Sequence, residues 1–387
     1  MRACMLAYTF YETDNRVRRY AEALVKRGDE VDAICLARDG QPAFEVMHGV
    51  NVFRIQKRVI DEKGPVSYLI KLLMFFFRSA WLVTSKHLSR PYKIIHVHSV
   101  PDFEVFAALV PRVMGARVML DIHDIVPELY ASKFRVGERS FAFRLLLLLE
   151  RLSIAFSSYV IIANDLWYEK LVKRSVHPNK CIAITNYPDL SIFWRRPHSS
   201  RPAGQFVMCY PGTLNSHQGL DVAINAVALL REREPSLKFL IIGDGPEREK
   251  LISMSRQLQL EDRVSFQGLV PMETVAEIMS TIDLGVVPKR KDSFGNEAFS
   301  TKIMEFMAMS VPVVASRTRI DEYYFSDEIV EFFESGSARD LADKIAMLMR
   351  NSGRRDALCK SGTEFIAQNN WDVKKRRYLD LVDCLCS

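Results

Sequence analysis

Two glutamates eight positions apart, Glu297 and Glu305, border a segment with helical spacing of apolar residues. The spacing predicts a helix over 299–309, with Glu297 just before it and Glu305 two turns inside. A helix N-terminus offers unpaired amides and a positive dipole end to an anion. Two acids around an anion site would suit a ligand with hydroxyls at both ends and phosphates between, as in a nucleotide sugar. Without further context, such a pair is more often a solvated stripe.

Two glycine-containing turns in the second half of the chain add to this pattern. One is the Gly-Asp-Gly turn from Gly243 to Gly245, and the other is the loop at 210–221, which contains Gly212 and Thr213. Each turn lies between a predicted strand and a predicted helix, where glycine lets the backbone approach a phosphate or base closely. A lone Gly-x-Gly is more often only a tight turn.

The first half of the chain offers a different set of polar residues. His123, Asp124 and Glu128 come directly after a predicted strand, where a histidine beside carboxylates can act as an acid or base. A loop histidine that only forms hydrogen bonds is the equally weighted alternative. Near the N-terminus, Asp14 can cap a helix, and Arg16 either is solvated or binds an anionic acceptor. Asp14, Arg16, Asp124 and Glu128 are therefore the candidates for the acceptor side.

Strand-like runs alternate with helical periods along the whole chain, which predicts an α/β protein with parallel sheets and crossover helices. The pattern starts again after a segment rich in Pro, Ser and Gly, so we expect two doubly wound domains. Ligands of such sheets bind beyond the carboxyl ends of the strands, and the cleft between the domains is the expected site. The predicted divisions are a first domain at 1–190, a linker at 191–205, a second domain at 206–368 and a C-terminal helix at 369–387.

The composition is that of a globular protein, with 48% hydrophobic and 26% charged residues in 387. Its 7 cysteines lack the spacing of a zinc site or a disulfide framework, and no secretory signal is evident, which favours the reducing cytoplasm. No P-loop or Asp-x-Asp element follows a predicted strand, so no metal site is expected. We expect no nucleic-acid partner either.

The positive charge is concentrated in the first half of the chain. Residues 1–190 contain 27 Lys and Arg against 20 Asp and Glu, a difference of +7. Within this half, the segment 66–90 is apolar, includes Trp81 and is interrupted by Lys71 and Arg78, which argues against a membrane-spanning helix. It predicts either an amphipathic helix on an anionic inner-membrane surface or a helix packed on its own sheet. The apolar stretch 141–162 is interpreted as a core helix followed by a strand.

These motifs together resemble the retaining glycosyltransferases of family 4, which have two Rossmann-like domains in the GT-B arrangement. The resemblance covers essentially the whole chain and is strongest over 210–316. The family's E-x7-E element matches Glu297 through Glu305, and the family's following Ala-Met-Ala-x-Gly-x-Pro-Val-Val-Ala matches 306–315. The family also has a Gly-Asp-Gly turn like the one at Gly243.

The resemblance implies a role for each matching residue. Glu297 would hold the hydroxyls of the donor sugar, Glu305 the ribose, and His123 would lie near the donor sugar. Trp371 would begin a C-terminal helix that returns to the first domain, as in relatives. The implied donor-binding residues are Gly212, Thr213, Gly243, Gly245, Phe299, Ser300, Thr301 and Glu305.

The chain departs from the family pattern in loops that matter for the chemistry. The first loop is not rich in glycine, and Gln218 stands where relatives carry a cationic phosphate clamp. Because a diphosphate leaving group needs its developing charge stabilised, we predict that Lys302, in the first turn of the Glu-bearing helix, replaces the clamp. With Glu297 and His123, Lys302 completes the predicted catalytic set; the weaker candidates for the clamp lie at 289–291.

The reaction implied by the resemblance moves a sugar from a nucleotide-diphosphate donor to an acceptor hydroxyl with retention, without a metal or other cofactor. The usual proposal for the family is displacement on the front face of the sugar, with the leaving phosphate assisting removal of the acceptor proton. The expected acceptor is a saccharide or a lipid-linked sugar of cell-surface polysaccharide or glycolipid synthesis. Two alternatives are a nucleotide-sugar 2-epimerase of the same fold and a non-catalytic scaffold that binds sugar nucleotides.

Overall fold

The computed structural model describes residues 1–58, 65–134, 137, 139–196 and 204–387. These residues form two compact units: Met1–Asn186 with Lys374–Ser387 is the first unit, and Tyr187–Val373 is the second. The middle of the predicted linker, 197–203, lies outside the described residues. The C-terminal helix begins at Trp371, as expected.

The first unit is built on an eight-stranded sheet with the order β3-β4-β2-β1-β5-β6-β7-β8, in which only the β3–β4 pair is antiparallel among the described strands. Its strands are β1 (Arg2–Ala7), β2 (Glu30–Ala37), β3 (Phe44–Met47), β4 (Val50–Lys57), β5 (Ile94–His98), β6 (Arg117–Ile122), β7 (Tyr159–Ile162) and β8 (Cys181–Ala183). Its helices are α1 (Asn15–Lys26), α2 (Pro65–Ser89), α3 (Leu109–Val113), α4 (Val126–Phe134), α5 (Phe141–Phe156) and α6 (Asp165–Arg174).

The second unit has a six-stranded parallel sheet with the order β11-β10-β9-β12-β13-β14. Its strands are β9 (Phe206–Pro211), β10 (Leu237–Ile242), β11 (Val264–Gln267), β12 (Leu284–Val287), β13 (Val313–Ser316) and β14 (Glu331–Phe333). The helices that follow are α7 (Leu220–Leu230), α8 (Arg248–Gln257), α9 (Met272–Met279), α10 (Thr301–Ala308), α11 (Arg319–Tyr324), α12 (Ala338–Arg350), α13 (Ser352–Gln368) and α14 (Trp371–Cys386), the last divided between the units at residue 374. Apolar residues of both faces of this sheet, such as Phe239 and Phe306, are fully buried.

Two predicted elements have different boundaries in the structure. The apolar period at 103–114 predicts a helix, but this segment starts as a 3-10 segment at Asp102–Ala108 and becomes α-helical only in α3. Pro111 explains the limit, because its ring would clash with the carbonyl of residue 107 inside a longer α-helix. The apolar run at 311–314 predicts a strand, but the strand begins only at Val313, since Pro312 has no amide to give to a sheet.

The apolar segment at 66–90 forms α2, the crossover helix between β4 and β5. By length and composition it could cross a membrane, with 23 residues at Ser67–Ser89 and a mean hydropathy of 1.3. One face is buried against the protein, with Leu72, Phe75 and Val83 as its core. The opposite face is exposed, so this helix both packs on its own sheet and presents an apolar surface.

The interpretation of 141–162 as a core helix followed by a strand is correct for the strand β7 and wrong for much of the helix. In α5, Phe143 and Ile154 are buried, but Phe141, Leu145 and Leu148 are exposed. The apolar residues surround this helix on all sides, so its single buried stripe cannot accommodate all of them.

Candidate functional site

The loops with the predicted donor residues meet where the second sheet changes direction. From β9 the chain proceeds outward to β10 and β11, whereas from β12 it proceeds the opposite way to β13 and β14, and β9 and β12 are neighbours. The loops after β9 and β12 therefore diverge, which opens a crevice at the carboxyl ends of the strands. The first loop contains Gly212 and Thr213, and the second leads through Glu297 to α10.

The glycines of this edge allow two loops to touch through their backbones. Gly212 has φ +142° and Gly243 has φ +132°, a region that favours glycine, and a Cβ on Gly243 would lie 2.0 Å from the Gly212 carbonyl oxygen. Gly245 packs in the same way on the backbone of Leu214, whose amide donates to the Asp244 carbonyl at 2.9 Å. The carbonyl of Thr213 accepts from the Tyr210 hydroxyl at 3.0 Å. The backbone of this edge is thus fixed in advance of any ligand.

The side chain of Lys302 lies against the Gly212 loop. A Cβ on Gly212 would be 2.3 Å from Lys302 Cε and 3.0 Å from Lys302 Nζ, and Nζ stands 5.2 Å from the centre of the Tyr210 ring. Burial lowers the pKa of Lys302, although the nearby Glu305 opposes that effect. Among the described residues, Lys302 forms no ion pair within 4 Å. The ammonium belongs to a partly buried side chain and is held where the loop after β9 would meet a phosphate.

Helix α10 starts at Thr301, two residues later than predicted, so Phe299 precedes it and Glu305 stands about one turn inside. Ser300 is the N-cap, but its hydroxyl caps no amide, is buried and has no hydrogen-bond partner among the residues that the structure describes. An N-cap hydroxyl ordinarily accepts from an amide of the first turn. The first amides of α10 and the Ser300 hydroxyl together can donate to an anion.

The segment before α10 is anchored by a buried ion pair that the sequence did not identify. Lys289 Nζ lies 2.9 Å from Asp321 Oδ2, both side chains are almost fully buried, and the ammonium also donates to the Ala298 carbonyl at 2.6 Å. Burial lowers the pKa of Lys289, while Asp321 opposes the shift. Arg290 is paired with Asp221 at 2.5 Å. Lys289 and Arg290, two of the weaker clamp candidates, are thus engaged with protein carboxylates.

Glu297 and Phe299 lie on either side of this anchored segment. The Glu297 carboxylate is 3.4 Å from Arg319, and its side chain is mostly buried. The Phe299 ring packs edge-on against Tyr324, with 4.8 Å between the ring centres. Both contacts join the segment to α11, so the glutamate is held in a fixed position.

In the first unit, Asp121 is the centre of a buried polar cluster. Both carboxylate oxygens of Asp121 accept hydrogen bonds from Arg16, each at 2.7 Å, and both side chains are almost completely buried. His123 Nε2 lies 3.1 Å from Asp121 Oδ2, while the His123 side chain stays partly exposed. Burial opposes ionisation of Asp121, but the charge of Arg16 outweighs it and holds the pKa of Asp121 well below its usual range. The carboxylate therefore fixes the orientation of the His123 ring.

His98 and His96 complete the cluster. His98 Nδ1 lies 3.2 Å from His123 Nε2, and the His96 ring stacks on His98 with 4.1 Å between centres. Burial lowers the pKa of His98, and burial together with His98 lowers the pKa of His96 well below its usual value. His96, His98 and Asp121 are close enough to ligate one metal ion, but the bidentate pairing of Asp121 with Arg16 opposes a cation there.

The predicted acceptor-side residues have different partners in the structure. Arg16 is neither solvated nor facing outward, because it belongs to the Asp121 cluster. Asp14 caps α1 by accepting from two amides at 3.1 Å. Glu128 is buried and paired with Arg174, whereas Asp124 lies beside His123, and burial raises the pKa of Asp124.

Two family descriptions match successive parts of the chain: a glycosyl transferase 4-like domain at residues 13–186 and glycosyl transferases group 1 at residues 194–365. The Escherichia coli K12 protein WcaL, whose name assigns it to colanic acid biosynthesis glycosyltransferases, is 30% identical over 186 residues. That match spans 47% of this chain and only 45% of WcaL. The epimerase and scaffold alternatives find no comparable support.

Solved structures of glycosyltransferases share the whole fold. Sucrose-phosphate synthase from Thermosynechococcus elongatus superposes with a TM-score of 0.80 at 20% identity, covering 100% of this chain and 99% of that one. Anabaena HepE in complex with UDP-glucose gives a TM-score of 0.72 at 16% identity, with 99% of both chains covered. At such identities the likeness shows the fold, which is the GT-B fold expected from the sequence.

Proposed function

We propose that this chain, which belongs to the family 4 glycosyltransferases of the GT-B fold, transfers a hexose from a nucleotide-diphosphate sugar with retention of the anomeric configuration. The observation that carries the proposal is the position of the Lys302 ammonium against the Gly212 loop. This cation, the Ser300 hydroxyl and the first amides of α10 form one set of donors at the point where the sheet changes direction. Such a set suits a diphosphate.

The nucleotide sugar is the donor class that fits this edge of the second unit. HepE, which shares the fold, was solved with UDP-glucose, and this supports a similar donor here. In the proposed arrangement Glu305, on α10, binds the ribose and Glu297 binds the sugar hydroxyls. Gly212, Thr213, Gly243 and Gly245 supply backbone that can lie close to the phosphates and the base.

The proposed chemistry needs charge stabilisation more than a covalent intermediate. The bond between the anomeric carbon and the phosphate oxygen breaks while the acceptor oxygen attacks from the same face, and the acceptor proton passes to the leaving phosphate. Lys302 stabilises the negative charge that develops on the diphosphate, as an oxyanion donor does. A double displacement would need a nucleophilic carboxylate and an acid about 5.5 Å apart on either side of the sugar, and the sequence nominates no such pair.

His123 is proposed to contact the donor sugar, with Asp121 and Arg16 holding its ring in one orientation. The carboxylate stays ionised at neutral pH because of the Arg16 charge. We further propose that transfer requires no metal and no other cofactor, since the cation at the phosphates is Lys302. The acceptor is proposed to be a saccharide or lipid-linked sugar of cell-surface polysaccharide synthesis, in line with the biosynthesis named for WcaL.

A panel of nucleotide sugars tests the proposal. The donor should raise the unfolding temperature of the purified protein, and mass analysis with candidate acceptors should find one added sugar and a released nucleoside diphosphate. An epimer formed without any acceptor would instead indicate the epimerase reaction. Stabilisation by a nucleotide sugar with no turnover under any condition would indicate a scaffold.

A further inference from the structure

Three helices of the first unit cover the same face of its sheet. The connections β4 to β5, β5 to β6 and β6 to β7 all advance in one direction across the sheet, and the connection β1 to β2 advances in the other. Because crossovers between parallel strands are right-handed, α2, α3 and α5 lie on one face and α1 lies on the opposite face. Contacts confirm their proximity: Phe76 of α2 and Phe156 of α5 both pack on rings of the 3-10 segment Asp102–Ala108.

The sides of these helices that face away from the sheet are apolar and exposed. The Trp81 ring of α2 is 72% exposed and the Phe141 ring of α5 is 81% exposed. Their exposed neighbours recur at helical spacing, so each helix presents a stripe. The stripes, which we call the apolar face, consist of Ile70, Leu73, Met74, Phe77, Trp81 and Leu88 on α2, of Leu109, Val110 and Val113 on α3, and of Phe141, Leu145, Leu148 and Leu152 on α5.

The charges on the same helices have one sign. The three helices carry six Lys and Arg residues against one acid, Glu150. Glu150 is fully buried and paired with Arg174, so it offers no negative charge to the surface. By contrast, Arg78, Arg144 and Arg151 are exposed among the apolar side chains. The face is therefore both apolar and positively charged.

We propose that the apolar face docks the protein on the surface of an anionic lipid bilayer. Large apolar and aromatic side chains bordered by arginine are what an interfacial membrane helix requires, with the apolar groups entering the acyl boundary and the cations meeting phosphate headgroups. A protein partner or a second copy of this chain would need acidic side chains opposite these arginines. An anionic bilayer offers phosphate headgroups to the arginines and acyl chains to the apolar side chains over the whole face. The face extends beyond the 66–90 segment, because α3 and α5 continue it.

Docking adds a membrane location to the proposed function. It rests on that function in one respect, because an enzyme with a lipid-linked acceptor meets its substrate at the bilayer. Helix α2 then contacts the membrane peripherally and does not span it, because the side of α2 that carries Phe75 and Val83 is buried in the protein core. The docking itself depends only on the first unit's surface. It can therefore fail or succeed independently of donor binding.

Co-sedimentation of the full-length protein with lipid vesicles tests the docking. We expect binding to phosphatidylcholine vesicles that contain phosphatidylglycerol, weak binding without it, and release at high salt. Replacing Arg144→Glu together with Arg151→Glu should lower the partition coefficient more than tenfold, since each basic residue near an anionic surface contributes about a fivefold effect. The matched control is Arg339→Glu, an exposed arginine of the second unit, and it should bind as the wild type does.

The apolar contribution is tested by Trp81→Ala with Phe141→Ala, against Trp194→Ala in the second unit. The double variant Trp81→Ala with Phe141→Ala should weaken vesicle binding severalfold. It should not lower the unfolding temperature, because both rings are exposed. The control Trp194→Ala should leave vesicle binding unchanged. Equal binding by all variants would overturn the proposal, and so would variants that change only the oligomeric state, which would make the face a contact between copies. Donor-induced thermal stabilisation on the same preparations separates the two proposals: a docking failure leaves it intact, and a failure of the proposed function removes it while vesicle binding persists.

Discussion

Replacing Lys302 by methionine removes one partly buried positive charge while nearly keeping the side-chain volume. The ammonium lies against the Gly212 loop and burial lowers its pKa, so water screens it poorly. Two unit charges about 4 Å apart interact by about 4 kcal/mol at an effective dielectric of about 20. Loss of a single donor to a developing oxyanion costs about 2.7–4 kcal/mol, or about 10²- to 10³-fold in kcat. We expect Lys302→Met to lower kcat by this factor.

The effect of Lys302→Met on stability should have the opposite character. A lysine whose pKa is lowered by burial is disfavoured in its charged form by the folded state, so its removal should leave the free energy of unfolding unchanged or raised. Steady-state kinetics and urea unfolding of the same preparation measure both quantities. Lys291→Met, at an exposed position, is the matched control and should change neither by much. Similar kinetic effects of the two variants, or an activity loss that follows unfolding, would refute the assignment of Lys302.

Three further outcomes are expected. Lys289→Met leaves the Asp321 carboxylate buried without its cation and should lower the free energy of unfolding, measured in urea, by about 3–5 kcal/mol. A loss smaller than that caused by replacing an exposed lysine would show that the pair does not anchor the segment before α10. Burial raises the pKa of Glu104, a partner of Ser79, from 4.5 to about 8, so the folded protein keeps a proton that the unfolded chain loses and wild-type stability falls as pH rises through this window. Between pH 5 and 8, the free energy of unfolding of Glu104→Gln should rise relative to that of the wild type by up to about 1.4 kcal/mol per pH unit. A difference between the two proteins that does not depend on pH would contradict the raised pKa. Transfer should persist in EDTA, and a loss restored by a divalent cation would contradict the metal-free proposal.

Most of the fold could be predicted because it depends on local patterns. Alternation of apolar strands with helical periods is repeated in both units, and the restart of the pattern predicted two sheets. Two of the boundaries that moved did so at proline: Pro111 delays the α-helix after β5, and Pro312 delays β13. The short strands β3, β8 and β14 were not predicted; two of them contain a charged residue, Glu45 in β3 and Glu331 in β14, so they lack a continuous apolar run.

The candidate site was predictable where its residues are near one another in the chain. Glu297, Lys302 and Glu305 lie on one loop and helix, so their spacing carried information. The pairing of Arg16 with Asp121 joins residues 105 positions apart, and no local pattern relates them. Asp121 lies inside a strand among apolar residues, and only its being charged there distinguishes it in the sequence. The buried Lys289 belongs to a run of three basic residues, so the sequence does not show which of the three is buried.

The exposed face of the first unit could not be separated from a core by sequence alone. In α5, five consecutive leucines place apolar side chains on every side of the helix, so periodicity does not distinguish the buried side. The structure resolves this, because Phe143 and Ile154 face the protein while Leu145 and Leu148 do not.

In the proposed reaction, the second unit binds a nucleotide sugar and uses Lys302 to stabilise its leaving diphosphate. Single-turnover transfer from the donor that emerges from the nucleotide-sugar panel tests this most directly, comparing wild type, Lys302→Met and Lys291→Met and determining the anomeric configuration of the product by NMR. We expect a product with the donor's configuration, a rate lowered about 10²- to 10³-fold by Lys302→Met, and a rate near that of wild type for Lys291→Met. An inverted product, or a Lys302→Met rate equal to that of the control, would contradict the proposed reaction.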